Sequence, residues 1–555
     1  MTQASQRSRS LLLVFLLSFL LSFPFLSRAF YTRGEPREAL VAQSMLLSGN
    51  WISPLAYNGA VPSKPPFSHW LIALSSLPVG DVTEATCRLP TAVAFVLFSV
   101  SFFLFLAKRS ELSVALLSSL LLLASPEWLR SGSTCRVDTL LATSFAGALL
   151  ALYGWHERGM RGYPFMAAAL LSCAALTKGP VGLVLPLAIF SLFRLLQEGV
   201  SARSILRISA SAAMVAVPVL VVVSTWYVAG YFVRGDEFIH KIWYENVARF
   251  TSSMEDEPHK HAALYLLGML FLMLLPWSLA WLWAVAGRLR AASAMLRRPV
   301  AVWQQASDLQ RFSLVAALSI TIFFCIPSSK RSVYLLPAYP FFAFLAASTA
   351  SVWAARSDRL LRVLLWVARG IVALLLVAAL VAIAVPVALE SERFAGSMLA
   401  ATGLAKLAVI VAGLACVHRI IRGGVAVGLT ERLAVAIVVF AVLAGPAVID
   451  PMMLQISPRR WLASPEFAEA AHPERQERMY SFGSESYSAS FYLKKPFLGA
   501  GADLPQGSLV FVEEKNLGRF RDELKRDYKE VSRYSSGLEG KKALVVIEAG
   551  SELPQ

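Results

Sequence analysis

The chain has 555 residues, of which 56% are hydrophobic and 16% charged; a soluble domain carries about 25% charged residues. Together with a mean hydropathy of +0.59, this excludes an ordinary soluble protein and calls for repeated membrane spans of about 20 apolar residues. The net charge of +16 is no sign of a nucleic-acid partner, because multi-span proteins collect Lys and Arg in cytoplasmic loops. The five cysteines are scattered with no CxxC pair, so neither a disulfide framework nor a zinc finger is expected.

Arg7 and Arg9 precede the apolar run Leu11–Leu26, and no A-x-A cleavage site follows. That pattern reads as an uncleaved first helix. Further apolar runs bring the expectation to about 13 spans, near 10–30, 88–107, 112–126, 138–155, 163–177, 179–194, 207–232, 263–286, 312–328, 333–354, 361–388, 400–418 and 432–454. With the N-terminus in the cytoplasm, every cytoplasmic loop is net positive, for example Lys108 with Arg109, and Arg158 with Arg161. The long loops 30–86 and 234–262 and the C-terminal segment then lie outside. The expected division is a membrane domain over 1–456 and a small soluble α/β domain over 457–555, where acidic and basic residues balance.

The stretch Phe30–Trp70 is too polar to cross a bilayer. It holds Glu35, Glu38, Arg33, Arg37, Lys64 and His69. The run Pro36–Leu47 reads as a helix with proline in its first turn. Its charges are either i,i+3 and i,i+4 surface pairs or a juxtamembrane carboxylate acting as general base. Lys64, fixed among Pro62, Pro65 and Pro66, is a lipid-phosphate contact or a snorkelling lysine. Arg88 opens the second span and has the same two readings. Arg136 and Asp138 either pair with each other or serve a site.

Thr177–Lys178–Gly179–Pro180 reads as a tight external turn with Lys178 a candidate for phosphate. Glu245 and Arg249 begin a polar segment that continues through Glu255, Asp256, Glu257 and His259. Such a set can bind a divalent cation, although no ligand spacing is fixed. Lys330 and Arg331, beside Tyr334 and Tyr339, form another basic external turn. No Walker loop, no GxGxxG and no HExxH is present, so no nucleotide cofactor is called for.

These motifs resemble a bacterial GT-C membrane glycosyltransferase of the aminoarabinose-transferase and protein O-mannosyltransferase superfamily. The carriers are Gly34–Glu38 running to Met45–Trp51, then Ser63–Pro66, Arg88–Pro90, Thr177–Pro180, and Lys330 with Tyr334–Pro340. The family often has Asp-Glu where this chain has Gly34-Glu35, and Glu-Lys-Pro where it has Ser63-Lys64-Pro65.

The resemblance implies a GT-C fold and transfer of a sugar from a polyprenyl (undecaprenyl) phosphate to an envelope acceptor such as lipid A. The acceptor class stays open among glycolipid, polysaccharide and protein. Glu35, with Glu38 as the second choice, is implied as the base. Arg37, Lys64, Arg88, Lys178, Lys330 and Arg331 are implied around the donor phosphate. Tyr31, His69, Asp138, Glu245, Arg249, His259, Tyr334 and Tyr339 are implied around the substrates. A single carboxylate with a basic clamp suits an inverting displacement. No cofactor is required, and a divalent cation is left open. A transporter or flippase is the rival class and a non-catalytic envelope scaffold the next. Few charges fall in mid-span, which disfavours transport.

Overall fold

Backbone polar groups in a bilayer must bond within their own segment, so the apolar runs fold as helices. The computed structural model describes residues 3–30, 32, 34–55, 64–244, 261–262, 264–274, 278, 303–327, 329–354, 457–470, 479–483, 486–495, 497–501, 503–534 and 544–552. The first helices are α1 (Gln3–Leu20), α2 (Gly34–Ser48), α3 (Phe67–Ser76), α4 (Glu84–Leu106), α5 (Leu112–Leu123), α6 (Pro126–Gly132) and α7 (Val137–Glu157). There follow α8 (Phe165–Lys178), α9 (Val181–Glu198), α10 (Ala202–Arg234), α11 (Asp236–Trp243), α12 (Tyr265–Met273), α13 (Asp308–Cys325) and α14 (Tyr339–Ala354). A 3-10 turn, Ser332–Ala338, leads into α14. The chain divides into two compact units: residues 1–25, 63–67 and 91–447, and residues 26–62, 68–90 and 448–555.

In the first unit, α7 packs on α8, α8 on α9 and α10, α5 on α14, and α13 on α14. Among the described residues seven helices are long and apolar enough to cross a membrane. An eighth span results if α5 and α6, bent by 71°, count as one. The expected spans at 361–388, 400–418 and 432–454 lie outside the described residues, as does half of 263–286. The rings of Tyr153, Phe193 and Phe312 meet at 5.0 and 5.1 Å between centroids in the interior. Outward-facing Val217, Leu220 and Val221 of α10 are more than half exposed, as side chains in contact with lipid would be.

Local chemistry sets the helix ends. Ser201 caps α10 by accepting from Ser204 N at 3.1 Å. Ser307 and Gln310 form a capping box on α13. The expected turn at Lys178 is present: α8 ends there, Gly179 has φ 79°, and α9 follows Pro180. Two residues on, a Cβ on Gly182 would lie 2.4 Å from the carbonyl carbon of Ala174. Only glycine lets α9 approach α8 this closely. Gly182→Ala is expected to lower the stability of purified protein by about 1–3 kcal/mol, the cost of overpacking, read from unfolding in mixed micelles. An unchanged transition would show that the two helices separate freely.

The second unit joins α2, most of α3 and the first turns of α4 to the C-terminal fold. Its helices continue as α15 (Arg459–Leu462), α16 (Pro465–Ala470), α17 (Tyr487–Leu493) and α18 (Leu517–Leu524). Its strands are β1 (Met479–Phe482), β2 (Leu498–Gly499), β3 (Leu509–Glu513), β4 (Arg526–Tyr534) and β5 (Leu544–Glu552). They form a sheet in the order β2-β1-β3-β5-β4, parallel among β2, β1 and β3 and antiparallel at β5 and β4.

Both faces of β3 are buried. Leu509 and Phe511 face a cluster with Ala489 of α17, and Val510 and Val512 face one with Phe520 of α18. The expected α/β fold is therefore present. The short apolar run Ala489–Leu493 is helical. Leu517–Tyr534 is read as one helical stretch but breaks at Lys525, which has a left-handed φ of 48°, and continues as β4.

The juxtamembrane segments are tied to this fold. Phe30 N donates to Tyr492 Oη at 2.8 Å. Lys494 Nζ donates to Asp81 Oδ1 and Val82 O, both at 2.9 Å. Pro90 sits inside α4 and has no N–H to give Thr86 O. Ser75 Oγ donates to that carbonyl instead, at 2.7 Å. Cys87 and Cys135 are disulfide-bonded, against the expectation from their scattered spacing; Cys173 and Cys325 are free.

Candidate active site

The second unit carries two buried acid–base groups that both begin on α2. Glu35 stands in the first turn, where the helix dipole favours an acid. Arg88 of α4 donates its Nε to Glu35 Oε1 at 2.7 Å, and both side chains are fully buried. The remaining guanidinium nitrogens of Arg88 go to backbone carbonyls. Nη1 donates to Leu26 O at 3.0 Å and to Arg28 O, and Nη2 to Ala29 O at 3.4 Å. The guanidinium also lies over the Phe30 ring, 5.0 Å from its centroid. Arg88 thus fastens the turn that follows the first span.

One helical turn later, Glu38 lies between two bases. Its Oε2 is 2.7 Å from His69 Nε2 of α3, and its Oε1 accepts from Arg37 Nη2 at 2.5 Å. The Glu38 and His69 side chains are buried, while Arg37 is 39% exposed. Burial opposes ionisation of Glu38. Arg37 and His69 outweigh it and hold the carboxyl well below the usual carboxylate range. On its own such a carboxylate is a weak proton acceptor. It is suited to orienting His69 and to stabilising that ring when charged.

The first unit has a different centre. Asp138 opens α7 and accepts from Lys178 Nζ, at the end of α8, at 2.6 Å. Arg136 Nε is 3.7 Å from its other oxygen, and Arg331 acts electrostatically on the same carboxylate. Lys178 Nζ also lies over the Tyr334 ring, 4.3 Å from its centroid. Two cations, Lys178 and Arg136, therefore contact one anion.

Beside them, Glu127 of α6 pairs with Arg130 and accepts from Ser332 Oγ at 3.4 Å. Sequence reasoning missed this pair. The signal was an acid just after Pro126 with an arginine at i+3.

Among the candidates from sequence, Glu35 comes together with Arg88, and Glu38 with Arg37 and His69. Asp138 gathers Lys178, Arg331 and Tyr334. Lys330 is 3% exposed and turns to the backbone, donating to His261 O at 3.2 Å and to Pro327 O. Tyr339 is buried at the start of α14. Lys64 lies on the turn before α3, partly exposed. Tyr31, Glu245, Arg249 and His259 lie outside the described residues. Among the described residues no three His, Cys, Asp or Glu side chains gather as a metal site requires.

Residues 63–228 match the family described as dolichyl-phosphate-mannose-protein mannosyltransferase. An undecaprenyl phosphate-α-4-amino-4-deoxy-L-arabinose arabinosyl transferase of Shewanella sediminis is 28% identical over 347 residues, 60% of this chain and 58% of its own length. The corresponding protein of Pectobacterium carotovorum is 27% identical over 383 residues, 67% of this chain and 65% of its own length. These matches span less than two thirds of the curated relatives. The crystal structure of ArnT from Cupriavidus metallidurans bound to undecaprenyl phosphate superposes over 100% of both chains, with a TM-score of 0.70 at 19% identity. In fold the chain is thus a polytopic α-helical membrane protein like ArnT, with a small soluble domain, and in sequence it is similar to the aminoarabinose transferases.

Proposed function

We infer that the chain is an integral-membrane glycosyltransferase that takes a sugar from a polyprenyl phosphate, undecaprenyl phosphate in a bacterium, and passes it to an envelope acceptor such as lipid A. The observation that carries this reading is the surplus of positive charge around Asp138, where Lys178 and Arg136 meet one carboxylate, with Lys178 over the Tyr334 ring, at the end of a membrane span. A phosphate that leaves with the electrons of the broken bond needs charge stabilisation more than a proton. The arabinosyl transferases are named for an undecaprenyl-phosphate donor, and the solved ArnT is bound to undecaprenyl phosphate. Both support the same donor class here.

In this reading an acceptor oxygen attacks the anomeric carbon, the carbon–oxygen bond to phosphate breaks, and the polyprenyl phosphate departs. One displacement inverts the anomeric centre. The acceptor proton goes to the Glu38–His69 pair. Nε2 of His69 is bonded to Glu38, so Nδ1 is the nitrogen that takes it. Arg37, half-exposed, and Lys64 are assigned to the donor phosphate. Glu35 and Arg88 are assigned to holding the lip of the membrane domain in shape.

The topology that fits this chemistry has about 13 spans, with the N-terminus in the cytoplasm and the C-terminal domain, 457–555, in the periplasm of the inner membrane. The oxidised Cys87 and Cys135 agree with an outer-face position for both.

The test is transfer from a synthetic undecaprenyl-phosphate sugar to lipid A by the purified protein. Lys178→Ala is expected to raise the donor KM about 10- to 150-fold, the loss of one charge-assisted contact of about 1.5–3 kcal/mol. No transfer from any polyprenyl-phosphate sugar, or an unchanged donor KM in the variant, would overturn the reading.

A further inference from the structure

A cleft of about 710 Å³ runs between α4, α7 and α8, along α7 from Thr143 to Gly154, with its mouth at the end of α7 away from Asp138. Its walls are mainly apolar, with Leu97, Phe98, Leu150, Met166 and Leu170, and its mouth is lined by Lys108, Arg109 and Arg158. Leu97 and Met166 are more than 60% exposed, so the cleft opens sideways to the bilayer.

The mouth is built to bring like charges together. A Cβ on Gly154 would lie 3.5 Å from Arg109 Nη2 and 3.8 Å from Arg158 Nη1, so two guanidinium groups from different helices converge over a glycine. Arg109 is oriented by Glu157, at 2.6 Å from its Nε, and by the Phe105 ring, 3.9 Å below its Cζ. Neither Lys108 nor Arg158 has a carboxylate partner among the described residues. One acid against three bases leaves the mouth positive.

A second, independent feature is Tyr163. The residue lines the same cleft, and its hydroxyl is shut off from solvent with no hydrogen-bond partner among the described residues. The turn that carries Arg158 and Tyr163 has left-handed backbone at three residues and is tied back to α7. Gly159, Met160 and Gly162 all have φ between 62° and 69°, and Trp155 Nε1 donates to Gly162 O at 2.8 Å.

We propose that this cleft binds one anionic phospholipid, its acyl chains along the apolar walls and its phosphate between Arg109, Arg158 and Lys108. The Tyr163 hydroxyl donates to the same headgroup. Basic pockets between spanning helices recognise anionic headgroups in this way. A second copy of the chain is the weaker occupant, because a two-fold contact here would set one cationic mouth against another. The headgroup mouth is at the far end of α7 from Asp138, and the proposal is independent of the proposed transfer reaction.

The test is native mass spectrometry of the full chain in neutral detergent, with phosphatidylglycerol and phosphatidylcholine of identical acyl chains in equal amounts. Phosphatidylglycerol is expected to be retained at least fivefold over phosphatidylcholine. Lys108→Gln with Arg158→Gln should bring it down to the phosphatidylcholine level, and Tyr163→Phe should lower it two- to threefold. Equal retention of the two lipids by the unaltered protein overturns the proposal, as does full phosphatidylglycerol retention by the double variant. A lipid-free dimer does so too. The comparison on the unaltered chain decides even if a variant fails to fold.

Discussion

Arg88→Met is expected to lower the stability of the folded protein by about 3–5 kcal/mol, the cost of removing one partner of a fully buried ion pair. Glu35 would be left as an unpaired buried carboxylate. The carbonyls of Leu26, Arg28 and Ala29 would lose their shared donor, and each such orphan is itself costly. Glu35→Gln should do less damage, because an amide oxygen still accepts from Arg88 Nε.

Replacing both partners with apolar residues should not restore stability, since the three carbonyls remain unsatisfied. Equilibrium unfolding of purified protein in mixed micelles measures all three variants. A loss below about 1 kcal/mol for Arg88→Met would mean that the pair does not hold this turn. Turnover per folded molecule of Glu35→Gln is the companion measurement. It should stay within a few fold of the unaltered protein, and its collapse would return the role of base to Glu35.

Glu38→Gln should lower transfer by about 10²–10⁴, the usual worth of general base catalysis, with most of the protein still folded. The amide keeps a hydrogen bond to His69 but loses the charge that stabilises a protonated ring. The partner variant His69→Asn should fall by a similar factor. The double variant should fall little further, because the two groups act as one. Single-turnover assays with saturating donor separate this from weakened binding. Full activity in Glu38→Gln would remove the pair from the chemistry and leave it a structural contact of α2 with α3.

Much of this could be read along the chain. The apolar runs are helices because lipid leaves the backbone no other partner. Pro36 starts α2, and Gly179 with Pro180 turns α8 into α9, for reasons internal to those residues. The balanced charge after residue 457 marks a soluble α/β fold. A short apolar run such as Ala489–Leu493 serves helix and strand equally. The local misreading came where one left-handed residue, Lys525, ends a helix that its composition would continue.

The sequence by itself determined which charged residues lie at the ends of membrane spans. Only the tertiary structure decided their partners. Arg136 stands two residues from Asp138, yet the short bond to Asp138 comes from Lys178, 40 positions away. Arg136, the extended residue before α7, reaches the carboxylate only at 3.7 Å, whereas α8, packed on α7, brings its last residue to the first turn of α7. Glu35 and Glu38, three positions apart on one helix, meet Arg88 and His69 at separations of 53 and 31 residues. Nothing local distinguishes these two acids. Packing against α4 and α3 gives one a fixed structural bond and the other a histidine, because a buried carboxylate must be matched by whichever base the fold delivers to it.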